Sequence, residues 1–438
     1  MNPHCRKNAL IDLRRCIPIS VERQMHSHQN NVTDTYKADM QALGGNSLGR
    51  DIPAIVSKLS RRTLLSGSST ALLTYFGLIR QACALSGERP PIKLGQSAPI
   101  TGALAKVGLS FRDAARAVFN EVNSQGGVGG RSIELITLDD EDRPERTDVN
   151  VKLLASEHQV VALFGFIGAG SHRAGARAAN AEGLPYIAAV SGAKELRAGT
   201  SPWIYNMRAS HSDEIDSVVR HIHQIGIRRV SLVFEYNSEG WEVRDALIAS
   251  LKQQGDNVAS LSSIDHEGSD FSLLGALSSV LAGQPQAILL GADFIASARF
   301  VAAARKAGFT GSFYTLSTVG GTALIEKLGP LAEGLSVTQV VPFPWTSSSR
   351  VGRDFQAFCV RNKIEPSFAS MEAFLASNLV VTALRRAREP TPSGLAVALE
   401  NLPIQDFGGY QGSFYSKSRR SPGQVDLTVY ARSGKFLK

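Results

Sequence analysis

The stretch Val160–Gly192, VVALFGFIGAGSHRAGARAANAEGLPYIAAVSG, decides how the rest of the chain is read. An apolar run (Val160–Phe164) leads into a glycine-rich loop (Gly165–Ser171) and an alanine-rich helical segment to Glu182. A second apolar run (Tyr186–Val190) then ends in Ser191-Gly192-Ala193. This is one strand–helix–strand unit whose strands end in small or polar residues. Ligands of open α/β sheets collect beyond the carboxyl ends of the strands. The two loops are therefore expected to form half of a small-molecule cleft.

The alternation continues on both sides. Strands are predicted at Ile92–Ser97, Ser132–Leu138, Arg229–Phe234, Val258–Ser263, Ala287–Leu290 and Ser312–Leu316. Helices are predicted at Gly108–Gln125, Asn150–Glu157, Ser212–Ile225, Gly240–Gln254, Phe271–Leu281 and Ser297–Ala307. Strands and helices at this spacing imply an α/β fold of parallel sheets with crossover helices. Pro342–Trp345 reads as an extended crossing, and helices follow at Val351–Asn362, Ser370–Arg388 and Ser393–Asn401. The tail is β-like at Gly412–Tyr415 and Val425–Ala431.

The 438 residues allow two domains, and the net charge of +8 invites a nucleic-acid reading. The charge is unevenly placed, however. Residues 1–84 carry eleven Lys/Arg against five Asp/Glu, which is six of the eight net charges, so the body is nearly neutral and a polyanion partner is not indicated. Cys5, Cys16 and Cys83 share that front segment, and only Cys359 lies beyond it, which excludes a disulfide or cysteine metal cluster within the body.

Residues 1–57 are polar and without apolar periodicity, and read as a disordered extension or the product of a mis-assigned start; Met40 would give an ordinary leader. Residues 58–84 read as a cleavable export signal. Arg61-Arg62 after Ser60 gives it a twin-arginine character, Leu64–Ile79 is its apolar core, and Ala82-Cys83-Ala84 is a processing site. The apolar core is too short and too rich in Ser and Gly to span a membrane comfortably.

Local motifs are mostly structural. Gly126–Arg131 follows a helix and precedes a strand, the context of a helix cap and turn rather than of a phosphate loop. Asp139–Asp142 ends in Arg143-Pro144 and lacks the alternating ligands of a calcium loop, so it reads as a solvated strand end. His221 and His223 are two apart and face different sides of their helix. Ser171-His172 are sequence neighbours, which does not make a catalytic couple. No metal or cofactor motif is present in the sequence. What remains is a set of loops with amide groups at helix N-termini, suited to an anionic group such as a carboxylate.

An ordered series of stretches carries a family resemblance: Ser97–Gly102, Asn123–Arg131, Asp139-Asp140, Pro185–Arg197, Asn206–Glu214, Phe313–Gly320, Gly334–Trp345, Pro366–Phe374 and Phe407–Leu437. The body resembles the extracytoplasmic solute-binding proteins of branched-chain amino-acid ABC transporters, the Leu/Ile/Val-binding type. The resemblance implies two doubly wound parallel-sheet lobes joined by a three-crossing hinge. It divides the chain into a first part of lobe 1 (91–207), lobe 2 (208–338), a second part of lobe 1 (339–410) and closing strands returning to lobe 2 (411–438). It implies a monomer that binds a small polar ligand such as an amino acid, amide or small carboxylate. Delivery to membrane permease subunits follows, with neither turnover, cofactor nor nucleic acid. A sensor of the same fold coupled to a regulator is the alternative, and an α/β enzyme a third reading.

Carried over by position, Val107 lies in the loop beside the ligand side chain. Ala169 and Gly170 fall where the family binds carboxylate, and Ser191, Gly192 and Ala193 where it meets carboxylate and amine. His211, Glu239, Asp293 and Ser317 are ligand-facing positions of the second lobe. Three of these depart from the family pattern: Ser317 stands where many relatives carry the Glu that pairs the ammonium, Glu239 where an aromatic is usual, and His211 where Tyr is common. An unpaired buried acid is costly, so an acid in the cleft implies a cationic or hydroxyl-rich ligand.

Overall fold

The computed structural model describes residues 89–197, 201–414 and 423–438. The expected export signal and the extension before it lie outside these residues. Strands β1 (Ile92–Ala98), β2 (Ile133–Asp139), β3 (Ala162–Phe164), β4 (Tyr186–Ile187) and β5 (Ile204–Tyr205) form one sheet in the order β2-β1-β3-β4-β5, every pair parallel. A second sheet holds β6 (Val230–Glu235), β7 (Val258–Ile264), β8 (Ala287–Gly291), β9 (Ser312–Thr315) and β10 (Ser336–Gln339), parallel in the order β7-β6-β8-β9-β10. Within each lobe the order is second-first-third-fourth-fifth, a doubly wound arrangement with its switch point between the first and third strands.

The rest of the chain completes these two sheets. β11 (Gln405–Asp406) and β12 (Gln411–Gly412) pair as a small hairpin of their own, while β13 (Asp426–Tyr430) and β14 (Phe436–Leu437) extend the second sheet antiparallel. Tyr410 and Phe414 pack in the first lobe's core, and β13 pairs with the second sheet from Asp426. The chain passes between the sheets after β5, after β10 and after β12.

Helices cover both faces of each sheet. In the first lobe α1 (Ala105–Ser124) buries Phe111, Ala114, Ala115, Val118, Phe119 and Val122, the helical spacing the sequence displays. Helices α2 (Pro144–Ser156) and α3 (Ala169–Glu182) cover the opposite face around Leu154, Leu163, Phe166 and Tyr186. The start of α2 corrects the sequence reading by six residues. Pro144 opens the helix at its first turn, where a missing N–H costs nothing, instead of ending the acidic run.

The second lobe repeats the plan with α4 (His211–Gln224) and α5 (Ser238–Gln253) on one face, and α6 (Asp270–Ala282), α7 (Phe294–Lys306) and the short α8 (Thr322–Leu328) on the other. Helix α4 starts at a capping box: the Ser210 side chain accepts from the Asp213 amide, and the Asp213 side chain accepts from the Ser210 amide. Helices α9 (Arg350–Asn362), α10 (Phe368–Arg386) and α11 (Pro392–Glu400) return to the first lobe, where α10 packs along α1. Among the described residues no helix is long and apolar enough to cross a membrane.

Candidate functional site

The carboxyl ends of β1 and β3 face those of β6 and β8 across a cleft that is closed in this structure. Contacts between the lobes fix it. Arg173 Nη1, on α3, donates to Ser238 Oγ at the start of α5 over 2.6 Å. The Lys194 amide donates to both oxygens of Glu242 at 3.0 Å each. Lys106 Nζ meets Glu326 Oε1 at 3.0 Å on the rim.

The first-lobe wall is mostly backbone. Helix α3 begins at Ala169 and Gly170, and its N-cap is Gly168 at φ 108°. A side chain at 168 is excluded twice, by that φ and because its Cβ would lie 2.1 Å from Asp142 Oδ1. The helix N-terminus expected to hold a ligand anion is thus faced by a carboxylate of the chain itself. Ser191, Gly192 and Ala193 lie in one buried loop. The Ser191 hydroxyl accepts from the Ala193 amide at 3.1 Å, so it closes its own turn. Gly192 is packed under His211: a Cβ there would sit 2.3 Å from His211 Cδ2. Val107 lies in the first turn of α1 rather than in a loop, half-buried against the first core.

The acidic run after β2 corrects another expectation. Asp140 is fully buried, not solvated: its carboxylate accepts from Ser97 Oγ at 2.8 Å, Thr147 Oγ1 at 3.2 Å, Ser171 Oγ at 3.3 Å and the Asp142 amide at 3.0 Å. Burial raises its pKa against these hydrogen bonds. Ser171 is thereby committed to Asp140, while the neighbouring His172 turns its Nε2 to Glu195 Oε1 at 3.0 Å. The two do not form a couple. Asp142 keeps an exposed edge, yet surrounding protein and then the Asp140 charge push its carboxyl up to about 6; His266 opposes this and Asp293 adds to it.

The second-lobe wall consists of charged side chains. His211, the first residue of α4, is 1% exposed, with Nε2 3.5 Å from Glu239 Oε1 and Nδ1 3.8 Å from Glu242 Oε1. Neither ring nitrogen makes a hydrogen bond. Burial, followed by the charges of Arg197, His172 and Arg208, drives its pKa well below the ordinary value, so the imidazole is neutral. Glu239 is raised by burial; His172 and Arg173 pull it back, while Glu235 and Glu195 push it further. Glu242 is raised by burial too, with the Lys194 amide working against it and Glu239 for it.

Asp293 caps α7, its Oδ1 accepting from the Ile295 and Ala296 amides at 2.7 and 3.0 Å, and its Oδ2 accepts from the Glu267 amide at 3.0 Å. Glu235, His266 and Asp293 bring one ligand-capable atom each to within 4.8 Å of one another. His266 Nδ1 is already 3.1 Å from Glu235 Oε1, and Asp293 is committed to its helix, so this trio is internally paired.

Ser317 lies apart from that wall, in the hinge. Its amide and hydroxyl donate to Glu214 Oε2 at 2.8 and 2.6 Å, and its oxygen accepts from Arg208 Nη2 at 2.7 Å. Arg208 Nη1 also meets Glu372 Oε2 at 3.3 Å, and Glu214, Arg208 and Glu372 are all buried. The Ser317 hydroxyl is therefore engaged by the first crossing and α4. Asp142, His172, Glu235, Glu242 and His266 lie around these contacts without having been expected as ligand-facing from sequence. The signal that was available for Glu242 is its place one turn after Asn237, the cap of α5, on the same face as Glu239. Two surface hollows, of about 640 Å³ beside Arg131 and Arg388 and about 720 Å³ beside Tyr236 and Phe271, contain none of the nominated residues.

Comparison with known proteins agrees with this architecture. A substrate-binding periplasmic protein from Ralstonia solanacearum superposes with a TM-score of 0.70 at 28% identity, covering 79% of this chain and 99% of that one. A possible leucine/isoleucine/valine-binding protein from Rhodopirellula baltica SH 1 gives 0.71 at 24% identity, over 80% and 97%. An amino acid binding protein of Pseudomonas aeruginosa is 20% identical over 358 residues, 80% of this chain and 91% of its own length. The family model described as "Periplasmic binding protein" matches residues 91–431, and the chain belongs to that family.

Proposed function

We propose that this protein is an exported receptor that clamps one small polar ligand between its two lobes and hands it to the permease of an ABC importer. The observation that carries the reading is the cleft itself. Two lobes of one strand order meet switch point to switch point, and each contact there brings one charged side chain, Arg173 to the Ser238 hydroxyl and Glu242 to the Lys194 amide. Such crevices are where doubly wound sheets hold ligands, and hinge closure around a ligand is a common use of two-lobed architecture. Ser171 and His172 have separate partners, which favours binding over turnover. Beside the mouth, Tyr236 and Phe271 are 70% and 92% exposed, apolar surface suited to a protein partner.

The test is a thermal-shift screen of amino acids, amides, amines and short carboxylates against the full chain, followed by small-angle scattering with each hit. A ligand that binds the folded state alone raises the melting temperature, and closure lowers the radius of gyration. A hit consumed chemically on incubation would instead favour an enzyme.

A further inference from the structure

Both amide edges that the first lobe offers to an anion already face a carboxylate of the chain. Asp142 Oδ1 lies over Gly168 at the N-terminus of α3, and Glu242 takes the Lys194 amide with both oxygens. A ligand carboxylate entering there would meet like charge at short range, which is unfavourable. The second lobe adds Glu235, Glu239 and Asp293. Against these acids stand Arg173, partly engaged with Ser238 and Glu195, Arg197, which donates to the Ser191 and Ala209 carbonyls and whose charge reaches Glu242, and His266, held by Glu235 and Asp293.

An independent observation comes from His211. It is 99% buried, sits between Glu239 and Glu242, and leaves both ring nitrogens without a hydrogen bond. A neutral imidazole brings no charge to the two acids beside it, so that end of the cleft holds two carboxyl groups and two unused ring nitrogens together. Half-buried acids in this state favour a cation.

We infer that the cleft takes a small organic cation that carries no carboxylate, an amine or guanidine, with its charged group between Glu239 and Glu242 beside His211. Asp142 and Asp293 form a second group of acids around His266, which favours a linear diamine over a monoamine. A bare metal ion fits less well: among the described residues only Glu235, His266 and Asp293 converge, and their donor atoms are already paired with one another or with helix amides. The inference rests on the solute-binding reading and goes beyond it by naming the ligand's charge.

The experiment is calorimetric and thermal-shift titration of the full chain at pH 7.5 with 1,4-diaminobutane, agmatine and butylamine. Neutral 1,4-butanediol, succinate, L-leucine and manganese chloride serve as comparators. The expected result is saturable binding of the diamine or agmatine, at least tenfold weaker binding of butylamine, and no response to butanediol or succinate. E239Q and E242Q should each weaken diamine binding at least tenfold, and E145Q, on an exposed turn of α2, should leave it unchanged. Retained far-UV dichroism and cooperative melting separate lost binding from lost folding, and two variants guard against one failing to fold.

Binding of leucine or succinate without the amines would overturn the cation and leave the receptor reading standing. Manganese binding that matches or exceeds the diamine would overturn it in favour of a metal. Silence from every probe would overturn the cation, and silence from the wider screen above as well would remove the receptor reading with it.

Discussion

The two lobes share one winding order and differ in what they turn toward each other. The first presents glycine, alanine and serine backbone at 168–170 and 191–193 beside Asp142 and Arg173; the second presents Glu235, Glu239, Glu242 and Asp293. The frame is therefore duplicated while the edge chemistry is not. Part of the second lobe's acidity has a local cause. Glu239 sits in the first turn of α5 and Asp293 caps α7, positions where a helix N-terminus favours an acid by about 0.3–1 kcal/mol. Glu242 and Glu235 have no such reason, and Glu242 crosses to the other lobe. On the proposed reading, a shared frame leaves the ligand to be decided by a handful of side chains on one edge.

The largest expected effect is at the hinge, which both lobes depend on. Arg208→Ala removes the one cation that meets Glu372 and Ser317, leaving buried acids behind. Breaking a buried pair from one side typically costs about 3–5 kcal/mol. Urea unfolding should show a loss of this size, and a loss below about 1 kcal/mol would mean the network is incidental. Glu372→Gln should cost less, because burial already raises that carboxyl and the amide keeps the shape.

Next comes the first-lobe edge. Gly192→Val would drive a Cβ to 2.3 Å from His211 Cδ2, a contact real Cβ atoms do not make. The lobes should then fail to close, with the thermal response to 1,4-diaminobutane abolished. Gly275→Ala, on the second lobe's α6, has open space around the new methyl. It should raise stability by up to about 1 kcal/mol through helix propensity and leave binding alone. Equal responses to both substitutions would erase the contrast between edge and outer helix.

Much of this was legible in the sequence. The helical spacing of Phe111, Ala114, Ala115, Val118 and Val122 and the glycine-closed strand β3 each follow from local pattern, and local pattern is enough to give the winding. The acids of the cleft were less legible because their meaning is set by partners far away in the chain. Glu242 is one more helix acid until Lys194 is seen to donate to it, and Asp142 closes an acidic turn until Gly168 is seen beneath it. Asp140 reads as solvated because Ser97, Thr147 and Ser171 come from three separate elements. Ser317 was nominated by position, and its partners in the hinge were invisible without the crossing that carries Arg208.

A smaller effect separates the lobes by pH. The carboxyl of Asp142 is raised from 3.8 to about 6 in the folded, closed state, so that state holds its proton longer than the unfolded chain does. The contribution favours folding and closure most below about pH 4, and it is lost as pH rises through about 6. Asp142→Asn removes this dependence. The melting temperature of the variant relative to the parent should climb between pH 4 and 7. A flat difference across that window would show that Asp142 is as well solvated as its exposed edge suggests.

The smallest expected effect is on the rim, where Lys106 and Glu326 join the lobes with both side chains about 60% exposed. Exposed pairs of this kind contribute roughly 0–1 kcal/mol and weaken with salt, because water and ions screen them and two long side chains must be ordered. Lys106→Ala should therefore change diamine affinity less than about threefold at low salt, and less still at 0.5 M sodium chloride. Glu242→Gln acts on a side chain only 18% exposed, where screening is weaker than on the rim, and its effect should persist better at high salt. If the rim substitution proved as costly as the buried one, the lobes would be held together by their margins, and the acids of the second lobe would lose their claim to decide what the cleft accepts.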